Sequence, residues 1–199
     1  MRLSRSASRT LKINKSDVRV NEKAQRAQKV QKVFGFAGWS GSGKTTLIER
    51  VISHLAASGV RVSLIKHAHH EFDVDQPGKD SYRHRAAGAS EVLVSSANRW
   101  ALMHELRGEP EFTLQQAIAQ FNPCDLVLVE GFKRESIPKL EVWRAEVGKG
   151  LLFPGDPNIV ALATDDPLPS DCREPSLSRF GLAEVSRIAE FVMHHSCAA

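Results

Sequence analysis

The stretch Gly38-Trp39-Ser40-Gly41-Ser42-Gly43-Lys44-Thr45 satisfies the pattern GxxxxGK[ST] at every defined position. It follows the apolar run Val33-Phe34-Gly35-Phe36-Ala37 and leads into an amphipathic segment, the strand–loop–helix setting such a loop needs. Glycines let the backbone curl so that successive N–H groups point at one anion. The helix that follows adds the partial positive charge of its N-terminus. The reading assigns phosphate binding to Gly38, Ser40, Gly41, Ser42, Gly43, Lys44, Thr45 and Thr46. Lys44 reaches the β- and γ-phosphates, and the Thr45 hydroxyl is a ligand for Mg²⁺.

Outward from this loop, helical and extended patterns alternate. Residues 33–37 read as a buried strand. In 46–58, Leu47, Ile48, Val51, Ile52 and Leu55 share one helical face, with helix entry at Lys44 or Thr45 and a stop at Gly59. Further strands are expected at 60–66, 91–95, 99–105, 125–130, 139–144 and 159–164, the second and third joined by the turn Ser96-Ala97-Asn98. Helices are expected at 80–87, 113–121 and 182–195. The fold class is therefore α/β: a P-loop NTPase-like, three-layer architecture with a mostly parallel, twisted sheet flanked by helices. Ligands of such a sheet bind at the carboxyl ends of its strands.

That rule sorts the acids. Asp125 and Glu130 flank one apolar strand, and only Glu130 lies at the carboxyl end. Glu130 is expected to act with Lys44 as the catalytic pair and to hold Mg²⁺ through water. Gly131 would present its N–H to the γ-phosphate. After strand 60–66 comes Lys66-His67-Ala68-His69-His70, then Asp73, Asp75, Asp80 and Ser81. The His run lacks distant ligands for structural zinc. Asp80 is a third expected Mg²⁺ contact, with helix capping as the plainer alternative. The one NKxD match, Asn14-Lys15-Ser16-Asp17, lies in the arm ahead of the phosphate loop and not at the end of a late strand; Asp165, in Ala163-Thr164-Asp165-Asp166 at the end of a late strand, is placed to read a base. These residues leave GTP and ATP open.

Hydrophobic residues make up 42% and charged residues 25% of the 199, enough apolar mass for a core and no apolar run that would span a bilayer. Three cysteines form no CxxC pair, in keeping with a reducing, cytoplasmic setting. Residues 1–32 hold ten Lys/Arg against two Asp/Glu, while the chain as a whole carries only +4. The domain organisation is thus a basic, flexible arm over 1–32, without the apolar core of a secretory signal, and a mildly acidic P-loop domain over 33–199. The basicity belongs to the arm, so neither a nucleic-acid nor a membrane partner is expected of the domain.

The segments GWSGSGKTTLIERV, KHAHHEFDVDQPGKDSYRHRAAGA, DLVLVEGFK, IPKLEVWR and ALATDD, in this order over 33–166, resemble the MobB-type adapter proteins of molybdopterin-guanine dinucleotide biosynthesis. The resemblance implies a homodimer that binds GTP and Mg²⁺, hydrolyses GTP weakly, and assists the guanylyltransferase that attaches GMP to molybdopterin. It selects GTP, with Asp165 as guanine reader and molybdopterin as a further ligand.

Slow turnover is expected, since Gln76 is the only candidate for orienting water. Arg83, Arg85, Arg134 and Arg144 are candidate cationic helpers. Arg83, Lys133, Arg134, Lys139 and Arg144 are alternatively placed for a pterin phosphate or a partner. Two competing classes stay open: a small-molecule kinase with 82–85 as lid, and a nucleic-acid-associated NTPase recruited by the arm.

Overall fold

The computed structural model describes residues 31–68, 72–170, 172 and 177–198. Its main sheet runs in the order β2 (Val62–Lys66), β5 (Leu126–Glu130), β1 (Lys32–Ala37), β6 (Lys139–Val142), β7 (Ile159–Ala163), β8 (Ser178–Phe180). All neighbours on this path are parallel. A short β9 (Cys197–Ala198) adds antiparallel to the start of β1. Alternate side chains of the central strands enter opposite layers. Phe34, Phe36, Leu126, Leu128, Leu140 and Val142 pack with Leu47, Ile48, Val51 and Leu55 of α1 (Lys44–Ala57), and with Ile188, Ala189 and Val192 of α4 (Val185–His195). Val33, Val127, Val129 and Ile65 pack under Leu114 and Ile118 of α3 (Leu114–Ala119). A sheet buried on both faces needs strands apolar at every position, which is why 33–37 and 126–129 read as unbroken apolar runs. The sequence-based fold class holds.

Several boundaries differ from the sequence reading. Lys32, grouped with the arm by charge, opens β1: it pairs with Leu126 and Ala198, and its ammonium donates to Met193 O at 3.1 Å. Helix α1 starts at Lys44, one of the two entry points expected, directly after the left-handed Gly43. Strand β6 stops at Val142 because the chain turns into a 3-10 turn, Ala145–Val147. Helix α4 starts at Val185, not at 182; ahead of it the Leu182 N–H is held by Asp165 Oδ1 at 2.8 Å and the Gly181 N–H by Glu184 Oε2 at 2.7 Å. Strands β8 and β9 carry no apolar run and were not expected.

Helix α2 (Asp80–Ala86) and the hairpin of β3 (Glu91–Ser95) and β4 (Trp100–His104) stand apart from the main sheet. Arg85 stitches the base of this unit, pairing with Asp73, Asp75 and Glu105. Those partners hold its guanidinium still more firmly protonated, and Arg85 in turn holds the Asp73 carboxyl below the usual range. The hairpin leaves Leu93 (59%), Trp100 (62%) and Leu102 (46%) exposed. Pairing of Leu93 with Leu102 and Ser95 with Trp100 puts all three apolar side chains on one face.

Candidate nucleotide site

The loop from Gly38 to Gly43 joins β1 to α1 at the carboxyl edge of the sheet, and Gly38, Gly41 and Gly43 all have positive φ. A Cβ on Gly38 would sit 2.4 Å from Val142 O, so the loop lies directly against β6. Ser42 Oγ is buried and has no hydrogen-bond partner. A buried hydroxyl left unpaired in a loop of positive-φ glycines suits a bound polyanion. Lys44 folds back on this ring and donates to Trp39 O at 2.7 Å. Burial lowers the Lys44 pKa; Glu130 opposes the shift, and Lys133 and Lys66 add to it.

Glu130 ends β5 beside β1, in register with Phe36 and with Lys66 of β2. There its Oε1 accepts the Thr45 hydroxyl at 3.3 Å, and its Oε2 lies 3.9 Å from Lys66 Nζ. Two hard oxygen donors beside a phosphate-binding loop fit Mg²⁺, which keeps most of its waters. Gly131 follows with φ 98, packed so tightly that a Cβ would lie 2.7 Å from His67 Cβ. Asp125, at the far end of β5, binds the Arg61 backbone N–H at 2.9 Å and its guanidinium, a structural tie.

Asp80 is not brought to this centre by any contact among the described residues. Its Oδ1 accepts the Ser81 N–H at 2.9 Å, and Ser81 Oγ donates to Asp75 rather than facing phosphate. Gln76 belongs to the same loop, its N–H on Asp75 Oδ1. Arg85 is committed to three carboxylates and is not brought to the phosphate loop by any contact among the described residues. Lys139, a candidate for pterin phosphate, is buried and paired with Asp156 at 2.8 Å. His69 and His70 lie outside the described residues. Among the described residues no cluster of three or more His, Cys, Asp or Glu is arranged to hold a metal.

Asp165 sits where β7 ends and joins that edge to the turn after β8 through the Leu182 N–H. Its neighbour Asp166 accepts the Ala145 N–H at 2.8 Å.

The sequence reading missed a strap over 144–153. Its fastenings are the Trp39 indole on Gly150 O at 2.7 Å, the Trp143 indole on Lys149 O at 2.9 Å, and the N–H groups of Leu152 and Phe153 on Glu141. Glu141 is fully buried in β6. Burial pushes its carboxyl above the ordinary glutamate range, against the two amides and with the help of Asp156. The visible signal was a lone acid inside the apolar run Leu140-Glu141-Val142-Trp143.

A protein family described as "Molybdopterin guanine dinucleotide synthesis protein B" matches residues 33–165. The chain belongs to the MobB family. The molybdopterin-guanine dinucleotide biosynthesis adapter protein of Escherichia coli is 43% identical over 166 residues, which is 81% of this chain and 91% of that one. The adapter protein of Haemophilus influenzae is 43% identical over 82% of this chain and 90% of that one. A crystal structure of molybdopterin-guanine biosynthesis protein B (MobB) superposes with a TM-score of 0.62 at 28% identity, over 81% of this chain and 98% of the other. The MobB homolog of Bacillus stearothermophilus gives 0.59 at 26%, over 81% and 95%. MobB membership places the chain among P-loop, nucleotide-binding proteins of molybdenum cofactor biosynthesis. No helix among the described residues is long and apolar enough to cross a membrane.

Proposed function

We propose that this MobB-family chain is a cytoplasmic GTP-binding adapter for the guanylyltransferase that builds molybdopterin-guanine dinucleotide. Nucleotide binding is its main activity, and GTP hydrolysis is slow and Mg²⁺-dependent. The observation that carries the reading is the Thr45–Glu130 contact beside a complete phosphate loop. Gly38, Ser40, Gly41, Ser42, Gly43, Thr45 and Thr46 cradle the phosphates, Lys44 neutralises them, and Gly131 offers its N–H to the terminal one. Thr45 and Glu130 hold Mg²⁺, whose chemistry here is charge neutralisation across the phosphates. Asp80 is left out of this set. Asp165 reads guanine, since an acid at this strand end can accept from base N1 and N2.

The commitment of Arg85 to three carboxylates, and of Gln76 to the loop of Asp75, supports slow turnover. The exposed Leu93, Trp100 and Leu102 support a homodimer through the hairpin. The basic stretch ahead of β1 is an arm preceding the P-loop domain, and molybdopterin is a further ligand, with Arg83, Lys133, Arg134 and Arg144 as the candidate cations for its phosphate.

The test is titration of GTP and ATP with and without Mg²⁺, followed by pull-down with the guanylyltransferase. Preference for GTP, strengthened by Mg²⁺, supports the reading. Equal affinity for the two bases removes the role of Asp165, and no nucleotide binding overturns the proposal.

A further inference from the structure

Arg144 leaves β6 at the edge of the phosphate loop opposite Glu130. An ideal Cβ on Gly43 would lie 3.4 Å from Arg144 Nε and 3.8 Å from Nη2, so the guanidinium lies against the loop. Gly43 is the residue immediately before Lys44 and sets the turn into α1. Its glycine does two things: it adopts φ 88, and it leaves room for Arg144. A Cβ there would touch the guanidinium at ordinary van der Waals distance, so the two groups are direct neighbours.

The backbone around Arg144 is pinned on both sides. Trp143 N–H donates to Ala163 O at 3.1 Å, and Ala145 N–H donates to Asp166 at 2.8 Å. The side chain itself is held loosely, with Nη1 3.6 Å from the exposed carboxylate of Glu146. A cation with a fixed base and a weak surface partner is ready to exchange that partner for a stronger anion. A guanidinium presents paired N–H donors matched to phosphate oxygens. An anion held in the cradle of Gly43, Lys44 and Thr45 would bring its acceptor oxygens within reach of this guanidinium.

We propose that Arg144 is a phosphate-binding residue of this cleft, supplied in cis from the strap, gripping the β/γ end of a nucleoside di- or triphosphate and giving up Glu146 when it does so. This rests on the nucleotide-binding reading above and adds a second cation, on the flank away from Mg²⁺.

The experiment is calorimetric titration of GTP, GDP and GMP into the full-length parent protein and the variants Arg144→Ala, Arg144→Lys and Glu146→Gln. Arg144→Ala is expected to lose about 10- to 100-fold in GTP and GDP affinity, with GMP little changed. Arg144→Lys should recover only part of the loss, because an ammonium lacks the planar fork. Glu146→Gln removes the competing carboxylate and should tighten GTP by about two- to fivefold, a gain that a purely structural role for the pair would not produce. Unchanged GTP affinity in Arg144→Ala, or an equal loss for all three nucleotides, overturns the proposal. A parent protein that binds no nucleotide sinks both readings. A parent that binds, with an indifferent Arg144→Ala, sinks only this one.

Discussion

The hydroxyl of Thr45 donates to Oε1 of Glu130 across 3.3 Å, although the two residues stand 85 positions apart. Adjacent parallel strands bring them together: Phe36 of β1 is in register with Glu130 of β5, and Thr45 lies just past the loop that β1 feeds. Removal of the acid charge should therefore be felt through the metal. Glu130→Gln is expected to cut the Mg²⁺-dependent gain in GTP affinity by about tenfold or more, with metal-free binding retained. Titration at a series of Mg²⁺ concentrations reads this directly, and an undiminished Mg²⁺ response would refute the assignment.

Among the described residues Lys44 makes one hydrogen bond, to Trp39 O. Lys44→Ala should leave the fold intact while costing about 10- to 100-fold in triphosphate affinity, the effect of losing a charge-assisted contact. Circular dichroism and GTP titration together check it. A variant that binds normally would contradict the role given to this lysine.

Gly131 combines φ 98 with a Cβ position 2.7 Å from His67 Cβ and 3.1 Å from His67 O. Neither atom can move easily, because the His67 N–H is bonded to Glu130 O at 2.8 Å. Gly131→Ala should destabilise the protein by about 1–3 kcal/mol and weaken GTP binding by shifting Glu130. The denaturant midpoint measures the first effect; a midpoint equal to that of the parent would show that the close packing is not real.

The buried Glu141 makes a pH prediction whose sign follows from linkage. Its carboxyl holds a proton more tightly in the folded state than in the unfolded chain. Its contribution is fully present below the unfolded value of about 4.3, and is lost as pH rises through the raised folded value. The stability difference between the parent and Glu141→Gln should therefore move against the parent as pH climbs from about 4 towards neutrality. Chemical denaturation at several pH values tests this; a difference that stays flat, or moves the other way, would refute it.

The apolar face of Leu93, Trp100 and Leu102 makes the hairpin the expected seam of a homodimer. Trp100→Glu with Leu102→Asp should give a monomer by light scattering, while the main sheet stays folded. Dimers that persist would place the interface elsewhere.

The phosphate loop, the buried strands 33–37 and 126–129, the α1 face and the position of Glu130 at the carboxyl end of its strand, with Asp125 at the other end, were all legible in the sequence. Each depends on a local pattern or on chain direction, and both are visible without coordinates. The short strands Ser178–Phe180 and Cys197–Ala198 were not legible, because their place in the sheet comes from neighbours distant in the chain. The same holds for the side chains. Arg85 and Lys139 looked like free cations, and only the fold reveals the carboxylates of Asp73, Asp75, Glu105 and Asp156 beside them.

Sequence alone determined that this chain builds an anion-binding loop between a buried strand and an amphipathic helix, because backbone conformation and hydrophobic periodicity are local properties. Tertiary structure decided which of many charges meet that loop. Thr45 meets Glu130 from β5, Glu130 meets Lys66 from β2, and Arg144 reaches Gly43 from beyond β6, and such contacts depend on distance through space rather than separation along the chain.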